Sequence, residues 1–430
     1  MIRLKPVLET PPRECPNCHS TLTAAGFLIA GMRNLADFQC PQCKSEFYGD
    51  LPAGQGLYTP ILLDKKSGAA YDDYNVGWFS GWLVDSYKQR TDEPLGFEVR
   101  KFSEVKDKVV LLNCLDILYG HSLLKLLNAQ HYTDYQSDVS LIVMLPPFLE
   151  WMLPDGAAEA WVIDLPLRRG TEWNDWLVNE IGERLKSFPE VFLSVAFSHP
   201  HSSDFDIERF TRVSPFPLEN FGHQKKPVIT FIWREDRLWE TEIRLSPTRF
   251  EKIKQHLGVS QERTGEQTRK IIKFAECLRG EFSSLDFAVV GIGKANNLPD
   301  WITDLRLTKL DATAERHWCE RYAASHMVVG VHGSNMLLPS AHAGSVIELI
   351  GEDRWGNYLQ DILFRVSDSR EMFFRYRFVP TSTTPEELSR LALTLLRYED
   401  FRRLMSPEFC RHREKYDLKE WQSVGRGNRD

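Results

Sequence analysis

The chain has 430 residues, and several signals are missing from it. Positive charge is not in excess: 53 Lys and Arg stand against 60 Asp and Glu, a net charge of -7. No global basic field is offered to nucleic acid, so any bound anion must be held by a local cluster. No run reaches the roughly 18 uninterrupted apolar residues of a membrane span. The best candidate, VSLIVMLPPFLEWMLP, is broken by three prolines. The start, MIRLKPVLETPPRECPNC, lacks the apolar stretch of an export signal. The expectation is a cytoplasmic chain; peripheral membrane association and the oligomeric state stay open. No repeat motif or low-complexity tract is visible. Neither the full dinucleotide fingerprint nor P-loop spacing occurs.

What is present is an ordinary globular composition, 42% hydrophobic and 26% charged. The length suggests two or three domains. Twelve Trp and 25 Phe supply bulk for large cores.

Of eight Cys, four form pairs: Cys15-Pro16-Asn17-Cys18 and Cys40-Pro41-Gln42-Cys43. Each short loop turns two thiolates toward one point, and together they complete an S4 site suited to zinc. Iron in a rubredoxin-like site and a pair of disulfides are the alternatives. Four thiolates leave no open position on the metal, so its part is structural. The residues between the pairs can form a hairpin. Lys and Arg are sparse around it, which favours a stapled folding unit or a docking module over a nucleic-acid reader. Cys114, Cys277, Cys319 and Cys410 are scattered and read as buried thiols.

Beyond the ribbon, short apolar runs alternate with helical patterns, the signature of parallel sheets with crossover helices. KVVLLN, VSLIVML, EAWVIDL and EVFLSVAF are strands in the first half. ITFIW, LDFAVV, HMVVGV and SVIELI are strands in the second. A helix with an Asp cap is expected in DDYNVGWFSGWLVDSYKQR. Thr264 and Gln267 stand at capping-box spacing. The fold class is α/β: a zinc ribbon over residues 1–50, Rossmann-like domains over 51–218 and 219–385, and a helical tail over 386–430.

In open α/β sheets, ligands bind at the carboxyl ends of the strands. Arg234 and Arg237 follow ITFIW, and their planar forks match phosphate oxygens; pairing with Glu235, Asp236 or Glu240 is the plainer reading. Gly291, Gly293 and Lys294 follow LDFAVV, where glycines let a ligand approach and Lys adds charge; an ordinary turn reads equally well. After HMVVGV come His332, Gly333, Ser334 and Asn335. Free N–H groups at a helix start, a small residue and an imidazole make a cradle for a diphosphate. Glu348, in SVIELI, can take two sugar hydroxyls. In the first half, Asp116 and His121 occupy a strand-to-helix loop, and either could act as a base on an acceptor hydroxyl. A lone His there is more often structural.

The span from ITFIWRED through VVGVHGSNMLLPSAHAGSVIELI resembles the C-terminal domain of GT-B glycosyltransferases. It is most similar to glycosyltransferase family 61 and more distantly to fucosyltransferases. In that family a strand ends in Arg, a later strand leads into an H-G-[AS] turn and a helix, and a Gly-containing turn and a strand with Glu follow. Arg234, His332, Gly333, Ser334, Gly344 and Glu348 fill those positions. YGHSLLKLLN is similar to the loop facing the acceptor. The resemblance implies a nucleotide-diphosphate sugar held by the C-terminal domain and a glycan or protein acceptor held by the N-terminal one. Transfer would invert the anomeric centre and require no metal. The zinc ribbon is not a standard part of the family. Two other functions are weighed: a nucleotide-sugar epimerase of similar fold, and a non-catalytic zinc-ribbon adaptor.

Overall fold

The computed structural model describes residues 4–6, 12–200, 204–221, 226–240, 261–294, 296–309, 312–363, 370 and 375–397. The expected α/β architecture is observed: two six-stranded, mainly parallel sheets and an antiparallel sheet carrying the cysteines. Cys410 and the tail beyond residue 397 lie outside the described residues.

The antiparallel sheet runs β2 (Thr23–Ala30), β3 (Arg33–Gln39), β4 (Glu46–Asp50), β5 (Leu62–Asp64) and β6 (Ala70–Tyr71) in chain order. The hairpin expected between the cysteine pairs is β2–β3, and the sheet continues past residue 50 to Tyr71. The β2–β3 turn is fixed by Gly31 at φ +56°, where a Cβ would fall 2.6 Å from the Gly170 carbonyl oxygen. Helix α1 (Gly77–Lys88) covers part of this sheet. It starts after Val76 without a side-chain cap, so the expected Asp cap is absent.

The first parallel sheet has the order β1 (Leu4–Pro6), β11 (Glu190–Leu193), β8 (Lys108–Asn113), β9 (Ser140–Leu145), β10 (Glu159–Ile163), β7 (Phe97–Lys101). Only β7 is antiparallel to its neighbour. Helices α2 (Tyr119–Leu127), α3 (Ala129–Tyr135), α4 (Asp175–Leu185) and α5 (Ile207–Thr211) complete this half. Side chains alternate across the sheet, as strand geometry demands. Val110 and Leu112 face α2 and α3; Val109 and Leu111 face α4 and the cysteine hairpin, including Cys15, Ile29, Phe38 and Cys40. The ribbon is therefore a covering layer of the sheet.

The second sheet has the order β14 (Thr303–Leu307), β13 (Asp286–Ile292), β12 (Val228–Trp233), β15 (Met327–Val331), β16 (Val346–Ile350), β17 (Tyr376–Pro380), all parallel. Counted from β12, this is the 3-2-1-4-5-6 order of a doubly wound sheet. Helices α6 (Gln261–Glu281), α7 (Ala312–Ala324), α8 (Leu337–His342) and α9 (Pro385–Leu396) accompany it. The capping-box reading of Thr264 and Gln267 is overturned, because α6 already runs from Gln261. Gln267 instead accepts from Trp239 N and donates to Arg234 O, both at 3.0 Å, tying down the segment after β12. A capping box does occur at Thr384 and Glu387, opening α9. That helix packs Leu388, Ala392 and Leu395 into the core of the second sheet.

One apolar cluster continues from the first half into the second, joining Leu123, Leu149 and Met152 to Trp318, Cys319, Tyr322 and Leu337. Inside the ribbon sheet, Arg33 Nη1 meets Asp50 Oδ2 at 2.7 Å with both side chains buried, and the guanidinium lies 3.5 Å over the Phe79 ring. Removing one member of such a pair strands a charge. Arg33→Met is expected to cost about 3–5 kcal/mol. Adding Asp50→Leu should recover part of that loss. Chemical denaturation of both variants checks this.

Candidate functional site

The cysteine site is built from two copies of one turn. In each C-P-x-C loop, the residue after the second Cys adopts a left-handed conformation: His19 at φ 60° and Lys44 at φ 64°. Both loops close with the same hydrogen bonds, Cys15 N to Ser20 O and Cys40 N to Ser45 O at 2.8 Å. The four thiols of Cys15, Cys18, Cys40 and Cys43 lie within 4.8 Å of one another, with Cys15–Cys43 at 3.5 Å and Cys18–Cys40 at 3.4 Å. Tetrahedral zinc with Zn–S of about 2.3 Å requires sulfurs about 3.8 Å apart, so the cluster is positioned to bind a metal ion. Those described cysteines are all free, and the spacing is far from a disulfide's. Burial pushes the Cys15 thiol up to about 12, whereas hydrogen bonds from Ser45 bring Cys43 down to about 6. A cation is what would hold the buried thiol as thiolate.

In a doubly wound sheet, the crevice opens where the strand order reverses. In the second half this is between β12 and β15, which pair directly through Ile229–Met327 to Ile232–Gly330. Arg234 and Arg237 follow β12, and His332 to Asn335 follow β15, so the residues of interest sit at the reversal. Arg234 Nη1 and Arg237 Nη1 both donate to the His332 carbonyl, at 3.3 and 3.1 Å. They lie over Gly333, at φ +143°, where a Cβ would come within 2.5 and 2.8 Å of them. Any side chain at 333 would displace both guanidinium groups. Arg234 also pairs with Asp236 through Nε at 2.8 Å, the plainer ion-pair reading of the sequence. Its Nη1 reaches Asn335 Oδ1 at 2.6 Å. The Asn335 amide nitrogen is buried and unpartnered among the described residues. It is a donor lacking an acceptor, beside two cations.

The His332 ring is fixed from behind. Its Nδ1 is 2.6 Å from Glu348 Oε2, and Tyr376 donates to the other oxygen of that carboxylate. Burial and the Glu348 charge hold the Tyr376 phenol well above its ordinary range, so it stays a donor. Glu348 has no exposed surface. Its oxygens meet the His332 imidazole and the Tyr376 phenol here, where the sequence reading expected sugar hydroxyls. Gly291 and Gly293 face protein: their Cβ positions would strike the Trp233 carbonyl and the Glu235 carboxylate. Strand and loop packing accounts for these glycines. Lys294 is exposed at the rim.

In the first half the order reverses between β8 and β11. Asp116 follows β8, and its carboxylate meets Lys125 Nζ at 2.7 Å with both side chains buried. His121 Nδ1 stands 3.5 Å from Asp116, and the imidazole is partly exposed. Burial would raise the Asp116 carboxyl, but Lys125 and His121 outweigh it and hold the group well below the carboxylate range. A carboxylate so stabilised is a weak proton acceptor, while His121 carries the accessible nitrogen. The His199 ring lies edge-on to His121, centroids 5.2 Å apart. Gly54, from the segment between β4 and β5, approaches Lys125: its Cβ would fall 3.1 Å from Cε.

The two strand-to-helix turns touch. A Cβ on Gly120 would come within 2.7 Å of Ser334 Cβ, so the glycine permits contact between the halves. Each half thus presents an imidazole backed by a carboxylate beside one junction. Lys125 and Tyr376 belong to this assembly, and Glu315 accepts from Tyr119 at the start of α2, without having been singled out from sequence. For Lys125 the signal was a lysine on the apolar face of SLLKLLN; Tyr376 and Glu315 carried none.

No family model matches the sequence, and no curated protein matches it. Solved structures similar to the chain include one from Listeria monocytogenes assigned as a UDP-N-acetylglucosamine 2-epimerase. It is 14% identical, with a TM-score of 0.27 over 68% of this chain and 66% of that one, just under two thirds. Another is TarM, 10% identical, with a TM-score of 0.24 over 94% of this chain and 80% of that one. Likenesses at this level carry no argument about the site, which stands on its own geometry.

The metal site gives a direct test. The purified chain should contain one zinc per molecule, and a strong chelator should lower the melting temperature by on the order of 10 °C, restored by added zinc. Unchanged melting after verified metal removal would show that the four thiols do not depend on an ion.

Proposed function

We propose that the chain is a glycosyltransferase, moving a sugar from a nucleotide-diphosphate sugar to a hydroxyl of a glycan or protein, with inversion and with no metal in the transfer step. The observation that supports this most is the pair Arg234 and Arg237, converging over Gly333 at the strand-order reversal beside the unpartnered Asn335 amide. Two guanidinium groups and a free amide donor suit the oxygens of a diphosphate. Ser334 and Asn335 open the turn that leads into α8.

In this reading the acceptor lies on the first half, near His121. The imidazole takes the acceptor hydroxyl proton, and Asp116 orients the ring and balances its charge. The acceptor oxygen bonds to the anomeric carbon as the bond from that carbon to the diphosphate oxygen breaks. The electron pair leaves with the diphosphate, where Arg234 and Arg237 stabilise it. His332, held by Glu348, adds its imidazole to the same turn. Lys294 adds charge at the rim.

A second reading is favoured by one feature. An imidazole–carboxylate pair on each half could serve two-base chemistry on a single sugar, as a nucleotide-sugar epimerase would use. Thermal shift against UDP, GDP, CMP and dTDP sugars finds the donor, since a specific ligand raises the melting temperature by mass action. Product analysis then separates the readings. A sugar joined to an acceptor supports transfer, isomerised free nucleotide sugar supports the epimerase, and no binding from the whole panel supports an adaptor.

Site variants sharpen this. Arg234→Ala, Arg237→Ala and His332→Ala should each lower transfer ten-fold or more, roughly 1.4 kcal/mol of transition-state stabilisation. His121→Ala should lower kcat about 100-fold or more and leave nucleotide affinity near wild type. Steady-state kinetics with calorimetric nucleotide binding measures both, and near-wild-type rates in all four would refute the assignment.

A further inference from the structure

Glu315 lies on α7 in the second half, yet both of its hydrogen-bond donors belong to the first. Tyr119 Oη donates to one carboxylate oxygen, and Trp151 Nε1 donates to the other at 3.0 Å. The surroundings are the apolar seam between the halves, with Met152, Trp318 and Tyr322. No Lys, Arg or His pairs with this carboxylate among the described residues. The titratable groups facing it are Tyr119 on α2 and, on its own helix, Cys319 and Tyr322. The turn Pro147–Met152 brings the neutral Trp151 indole. Arg212, packed against that turn, bonds to the Trp151 and Leu153 carbonyls instead. A carboxylate so placed costs folding free energy that a neutral side chain would not.

Its position gives that cost a purpose. Tyr119 is the first residue of α2, Gly120 is the contact with Ser334, and His121 follows. The anchor therefore sits two residues from the proposed base, where the halves meet. We infer that Glu315 is a positioning residue: by holding Tyr119 and Trp151 across the seam, it sets how the first turn of α2, and with it His121, meets the crevice. The role of His121 rests on the transferase reading; the coupling of the halves does not.

The protonation state of Glu315 governs this anchor. As a neutral acid it sits in the seam at little cost; ionised, it has only two neutral donors and is better hydrated when the halves part. Burial pushes its carboxyl up to about 7, with Tyr119 and Trp151 opposing more weakly. The closed arrangement thus binds a proton that an opened one releases. Its stability is fullest below the ordinary glutamate range and falls as pH rises to about 7, levelling above that.

The test uses the full chain without ligand. Melting temperature is recorded from pH 5 to 9, with backbone hydrogen exchange of Leu118–Leu123. Wild type should lose stability between about pH 5 and 7, and exchange in the first turn of α2 should quicken ten-fold or more beyond the intrinsic pH effect. Glu315→Gln should flatten both profiles. A hydrogen bond of merely structural value would lower stability equally at every pH and leave the slope, so an unchanged slope in this variant overturns the inference. Should Glu315→Gln fail to fold, Tyr119→Phe decides: removing a donor to the ionised form should move the midpoint to higher pH, and an unmoved midpoint overturns it. Absence of any transferase activity would sink the proposed function, while these ligand-free profiles would still decide the role of Glu315.

Discussion

A parallel sheet that reverses its winding leaves a crevice at the carboxyl ends of two adjacent strands, and the rest of the site depends on that constraint. Between β12 and β15 the chain on one side departs over one face, and on the other side over the opposite face. Backbone groups there are not covered by a crossover, and side chains just past the strands point into common space. Arg234, Arg237 and the His332 turn come together because their strands are paired neighbours at the reversal, although about a hundred residues separate them in sequence. The first sheet repeats the arrangement with Asp116 and His121. Contact between Gly120 and Ser334 brings the two reversals together.

Charge is distributed in a way that follows from this geometry. Each imidazole is backed by a carboxylate, and each carboxylate is buried and held by a second partner: Lys125 for Asp116, Tyr376 for Glu348. The partners differ in kind. A buried ammonium fixes Asp116 as an anion, so that pair is preorganised at neutral pH. A phenol and an imidazole share Glu348, one on each carboxylate oxygen.

Much of this could be read from the residue order. Strand and helix alternation is a local signal of hydrophobic period, and it located the central strands of both sheets and the helices between them. The cysteine pairs are equally local, since two ligands per short loop need no tertiary knowledge. The turn His332-Gly333-Ser334-Asn335 stood out because four polar or small residues follow a buried strand. The missing parts all depend on distant pairing. Strands β7, β14 and β17 are edge or near-edge strands of weak period, recognised only once their neighbours are known. Glu348 looked available for a ligand because nothing in its strand reveals that Tyr376 will lie beside it. The glycines at 291 and 293 resembled a phosphate loop, but the space they free is filled by Trp233 and Glu235. Thr264 and Gln267 had the spacing of a helix start inside a helix already under way.

The ribbon hairpin lies on the face of the first sheet that a crossover helix would otherwise shield, sharing that layer with α4. Cys15 and Cys40 face that core, while Cys43 is exposed on the outer side of the cluster. Cutting the chain after Asp50 would sever the hairpin from β5 and leave Val109, Leu111, Ile142 and Trp161 partly open to water. The first sheet and its cysteine-bearing lead segment accordingly share one core.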